Sequence, residues 1–186
     1  MSRFFRRFAC AREAMAVVEF ALVLPIMLAM FYGCIETTRY ILIVQKVEKL
    51  AHTVADVTAQ SRSVTTASLD QLLEATGDIM QPFGTGTSSR VLISSLYRPP
   101  GASSVATVNW RHAGGGTLTA TSQLGAVGST PSMPGGFTFN ERENVIAAEV
   151  FYQFSPLLTS QYFGTTTVYR AAFYKPRLGA LTANPT

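Results

Sequence analysis

Hydrophobic residues change their spacing twice along this chain. From Ala14 to Ile35 they run almost without a break, and Glu19 is the one charge among them. A helix over 15–35 rises about 30 Å, the depth of a hydrocarbon core, so one membrane span is predicted there. Beyond it the spacing becomes helical and one-sided. Tyr40, Ile43, Val44, Val47, Leu50, Ala51, Val54 and Val57 recur at i, i+3, i+4 and i+7, while Gln45, Lys46, Lys49, His52 and Asp56 take the other face. The same helix is therefore expected to continue as an amphipathic segment over 36–60.

A polar stretch, TAQSRSVTTAS, then precedes a second helix, LDQLLEATGDIM, with Ser68 and Gln71 as its expected capping box and Pro82 and Gly84 as its stop. After these the spacing turns to strands. RVLISSLY (90–97) and SVATVNWRH (104–112) flank RPPGAS and read as a hairpin. NVIAAEVFYQF (144–154) and TTTVYRAAFYKP (165–176) are rich in β-branched and aromatic residues, joined by SPLLTSQYFG. Between the pairs lies a Gly/Ser/Thr-rich loop over 113–136. The expected fold is α+β and pilin-like: a long N-terminal helix, transmembrane then amphipathic, packed on a small antiparallel sheet with its other face wet. Its domain would span 65–177, with 178–186 as a tail.

Charge sharpens the membrane reading. The formal net charge is +4. Arg3, Arg6, Arg7 and Arg12 precede the apolar run, and the rest of the chain beyond residue 14 carries eleven basic and ten acidic side chains. The basic leader, 1–14, favours a cytoplasmic N-terminus, although Arg39, Lys46 and Lys49 follow the span. With the other bases scattered, no nucleic-acid partner is expected. Cys10 and Cys34 flank the span, too far apart for a disulfide with each other.

Glu19 is what the bland readings must explain, because a charge at the bilayer centre costs roughly 2.5–3.5 kcal/mol on insertion scales. A cleaved secretory signal is shorter and ends in A-x-A, which does not follow this run. A lipoprotein signal ending at Cys34 would place bulky Phe31 and Tyr32 in the peptidase site. A plain signal anchor, carrying an unrelated periplasmic enzyme or binding module, stays open and leaves Glu19 without a purpose.

A basic leader, a small residue, four apolar residues, then Glu and Phe is the pattern of type IV prepilins, with Ala14 the last leader residue and Met15 the first mature one. Glycine is usual where Ala14 stands. The stretch AVVEFALVLPIMLAMFYGCIETTRY resembles the N-terminus of TadE-like proteins, pseudopilins of the tight adherence (Tad or Flp) pilus system, through Glu19, Phe20, Ala21, Leu22 and Pro25. VIAAEVFYQFSPLL and YKPRLG are similar to the later part of such proteins. The likeness thus covers about residues 10–60 and 144–179. It implies a minor pseudopilin or an assembly or priming subunit, held as a single pass in the inner membrane with its C-terminal domain periplasmic. The implied partners are membrane lipid, a prepilin peptidase cutting between Ala14 and Met15, and other pilins and pseudopilins. Glu19, with Phe20 and Pro25, would serve assembly and recognition, Glu19 pairing with a mature α-amino group, since a buried charge is tolerable when paired.

No catalytic constellation emerges, and no cofactor or metal is expected. HAGGGTL lacks the strand-turn-helix setting and the Lys-Ser/Thr of a phosphate loop. Glu48, His52 and Asp56, at i, i+4 and i+8, are read either as a metal or pH site or, preferably, as a solvated helix face. Asp70 and Glu74 share a turn of the second helix, and Glu141 and Glu143 flank Arg142. Glu149 sits within a strand and is a residue to mutate.

Overall fold

The computed structural model describes residues 12–157 and 164–186, the first three by backbone alone. Arg3, Arg6, Arg7, Cys10, Leu158 and most of the SPLLTSQYFG connection lie outside the described residues. The order of elements is α1 (Arg12–Ala59), α2 (Thr66–Glu74), α3 (Thr76–Met80), β1 (Ser89–Tyr97), β2 (Thr107–Gly114), β3 (Asn144–Phe154) and β4 (Thr166–Tyr174). By contact the chain forms two compact units, one ending at Ile41 and the other beginning at Leu42. It is an α+β protein, a long helix with an antiparallel sheet against its C-terminal part.

The expected stripe is the core of the second unit. Ile43, Val47, Leu50, Ala51 and Val54 are buried, and Lys49 is exposed. Each fully buried Val or Leu contributes roughly 1.5–3 kcal/mol. The two ends of the expected stripe are instead exposed, Tyr40 at 39% and Val57 at 44%, and Thr58 and Ala59 take the place of Val57. The Thr58 hydroxyl makes this possible by donating to the Val54 carbonyl (2.7 Å), so its own polar group is not buried unpaired.

Two details of the second helix differ from expectation. Its capping box is Thr65 with Ser68, not Ser68 with Gln71. Thr65 Oγ1 accepts from the Ser68 N–H (3.1 Å), and Ser68 Oγ accepts from the Thr65 N–H (2.9 Å). The expected single helix also breaks at Ala75, where the buried Thr76 hydroxyl donates to the Leu73 carbonyl (2.5 Å) and competes with the ladder.

The four strands form one antiparallel sheet in the order β2-β1-β3-β4. The 90–97/104–112 hairpin forms as expected, but β2 begins at Thr107 and an irregularity lies between Ser95 and Leu96 of β1. Period-two alternation sends Ile146, Ala148, Val150, Tyr152 and Phe154 of β3 to the helix side, with Val91, Ile93, Trp110, Val168 and Ala172.

The other face of the sheet is covered, against expectation. Leu96, Val108, Val145 and Ala147 pack beneath Leu124 and Phe139 in a second apolar cluster. The long segment between β2 and β3, which includes the Gly/Ser/Thr-rich loop, is thus a strap across that face. β3 reads as buried on both sides for this reason, from Asn144 to Tyr152.

Gly115 and Gly116 of HAGGGTL pack the start of this strap closely against β1, while Gly114, the last residue of β2, lies against Leu73 of α2. A Cβ on Gly116, at φ +133°, would sit 2.3 Å from the Ser89 carbonyl oxygen. The segment 178–186 also joins the core. Leu181 is buried, its carbonyl accepts from Ser95 Oγ (2.8 Å) and Trp110 Nε1 (2.9 Å), and its N–H donates to Asn144 Oδ1 (2.8 Å).

Candidate functional site

The expected site residues all fall on the N-terminal part of α1. Ala14 and Met15 lie in its first turn, where the leading N–H groups have no intrahelical acceptor. Met15 and Glu19 are one turn apart and so share a face, both exposed. Phe20 is 59% exposed. Pro25 is inside the helix, so the Ala21 carbonyl receives no ladder bond from it, yet α1 continues. From Met15 to Ile35 every side chain is exposed, a helix long and apolar enough to cross a membrane with none of its apolar window buried.

Polar groups at the end of this run are satisfied locally. The Thr37 and Thr38 hydroxyls donate to the Gly33 and Cys34 carbonyls, each at 2.8 Å, and Arg39 pairs with Glu36 at 3.1 Å. Such back-bonding satisfies a threonine hydroxyl within its own helix.

The acids considered as a metal or pH site on α1 have separate structural partners. Asp56 pairs with Arg177 (2.8 Å) and accepts from Gln60 (2.6 Å), Glu48 lies 4.0 Å from Arg170, and His52 Nδ1 is 3.3 Å from the Tyr174 hydroxyl. Among the described residues no three His, Cys, Asp or Glu side chains are placed to hold a metal ion. Asp70 pairs with His112 (2.7 Å), joining α2 to β2. In the strap, burial pushes the Glu143 carboxyl up, but the Lys175 ammonium and the Asn140 N–H outweigh it and hold the carboxyl below its usual range.

Glu149 is the most elaborately held polar group. It is fully buried on the strap side of β3. Its Oε1 accepts from the Gln123 N–H (2.8 Å) and the Tyr169 hydroxyl (3.0 Å), and its Oε2 accepts from the Ser122 hydroxyl. Burial and then the neighbouring Glu149 charge push the Tyr169 hydroxyl well above the usual phenol range. Burial lowers the Arg111 guanidinium, with Glu149 pulling the other way, while Arg111 Nε donates to Ser94 Oγ (2.9 Å). This arrangement ties the strap to the sheet. The Glu149 carboxylate itself is fully buried beneath the strap. Glu149 was visible in the sequence as a charge within a strand, whereas Ser122, Gln123, Tyr169 and Arg111 carry no signal that joins them to it.

Residues 14–56 match the family model described as TadE-like protein. Neither a curated protein nor a solved structure matches the chain. The matched stretch begins at Ala14, includes Glu19 and Pro25, and runs through the buried stripe to Asp56. The block around Glu149 lies outside it. Residues 14–56 thus form a TadE-like segment within a longer chain.

Proposed function

We propose that this chain is a minor pseudopilin or an assembly or priming subunit of a Tad pilus, anchored once in the inner membrane. One observation carries the reading: the TadE-like segment coincides with an apolar helix that has a lone carboxylate at Glu19 and no covering protein surface. In this reading 1–14 is a leader, 15–35 spans the bilayer, 36–60 carries the helix out, and 65–177 is the periplasmic domain, with 178–186 folded back on it. Cutting between Ala14 and Met15 by a prepilin peptidase would create an α-amino group one helical turn from Glu19. That supplies the opposite charge without which a carboxylate in lipid is costly. Phe20 and Pro25 complete the surface that neighbouring pilins and pseudopilins recognise.

The test is the N-terminus of the protein in the membrane fraction. Sequencing should return Met15 followed by Ala16, Val17 and Val18. A chain that still begins at Met1, or one acylated at Cys34, would rule out processing and with it the pseudopilin role.

A further inference from the structure

We propose that the outer edge of β4 pairs with β4 of a second copy of this chain, antiparallel about Ala171. The sheet treats its two edges differently. Along β2 the chain covers its own edge: the Val108 N–H donates to the Ser129 carbonyl (3.0 Å), the Gly128 N–H to the Val108 carbonyl (2.8 Å), and the Asn109 side chain to the Thr182 carbonyl. β4 is the opposite edge, and among the described residues no segment pairs with its outer side. An open edge presents N–H and C=O groups at strand spacing, and another extended backbone satisfies such a row.

Two cavities open beside this edge on the strap side. One, of about 330 Å³, is bounded by Leu124, Met133, Tyr169 and Ala171. The next, of about 260 Å³, is bounded by Pro134, Phe137 and Phe173. Side chains two residues apart on an added strand stand about 6.8 Å apart on one face, the same step as from Ala171 to Phe173 beneath them.

The identity of the added strand follows from β4 and from the count of free edges. Paired about Ala171, one copy's Tyr169 lies opposite the other's Phe173, and the small alanines at the centre leave room for these rings to reach the cavities. Arg170 lies opposite Ala172, so like charges are not directly opposed. A two-fold contact uses the outer side of each β4 once, and the start of β2 is already bonded within its own chain at Val108 and Asn109. The assembly stops at a two-fold dimer and does not propagate. None of this depends on the pilus reading, because it uses the sheet alone.

Cysteine cross-linking of the full chain in detergent tests the register, in a background with Cys10→Ser and Cys34→Ser. Ala171→Cys should shift to a dimer band on oxidation, because directly opposed Cβ atoms lie about 4.5–5.5 Å apart. Thr167→Cys should remain monomeric, its two copies being separated by eight residues, about 27 Å. Light scattering supplies a second reading: the wild-type chain should have the mass of a dimer, and Ala171→Lys, which brings two ammonium groups together at the axis, that of a monomer. Equal cross-linking at both positions, none at 171, or a monomeric wild type would each overturn the proposal.

Discussion

Glu149 is fully buried and accepts three hydrogen bonds, and this decides what its loss should do. A buried carboxylate is stable only because donors replace its hydration. Glu149→Ala removes the acceptor for Ser122, the Gln123 N–H and Tyr169 together and takes the countercharge from Arg111. Breaking a buried charged network in this way costs about 3–5 kcal/mol. Thermal melts of the chain in detergent should show it, with the strap becoming accessible to protease between Leu118 and Phe139. A melt within a degree or two of wild type would mean that the apolar cluster holds the strap unaided. At this scale the sequence was half legible. A charge amid Val145–Phe154 is conspicuous, but its donors come from a loop and from a neighbouring strand, and no spacing rule connects them.

Among the elements, α1 was the easiest to foresee, and it supports a paired prediction. Val54 is wholly buried against the sheet, whereas Lys49 faces water. Val54→Asp places an unpaired charge in the core and forfeits roughly 1.5–3 kcal/mol of apolar burial besides. Lys49→Asp should stay within about 0.5 kcal/mol of wild type, as surface changes usually do. Melting the two variants side by side checks this, and equal losses would refute the packing. The stripe was readable because a helix repeats its buried face every three to four residues, so many positions vote together. The strap escaped notice for the opposite reason. Leu124 and Phe139 are fifteen residues apart with no period between them, so only the folded chain shows that they share one apolar cluster. With the strap unseen, the outer face of the sheet was read as wet. The cap of α2 slipped because Ser and Thr crowd residues 61–68, and several of them satisfy the capping pattern.

For the molecule as a whole, the exposed apolar helix and the folded domain make separable demands on the sequence, and Glu19 belongs only to the first. Glu19→Ala removes a charge whose insertion is unfavourable, so the variant should remain in the membrane and its domain should melt as wild type does. What it should lose is co-purification with other pilins and support of pilus formation. A variant that keeps both would show that the carboxylate is a bystander in assembly.

The position of Leu181 has a consequence for how this chain acquires its shape. Its main chain meets Ser95 of β1, Trp110 of β2 and Asn144 of β3, and Arg177 reaches back to the Ala59 carbonyl at the end of α1 (2.9 Å). Translation delivers these groups in order, with residues 177–181 emerging long after α1 and the first three strands. Until then Trp110, Ser95 and Asn144 face a gap, and the edge of β3 awaits β4. Contacts so distant in sequence, up to the 118 residues between Ala59 and Arg177, also slow the search for the native pairing. The nascent domain is therefore held back from locking by its own sequence order, and its last residues act as the latch.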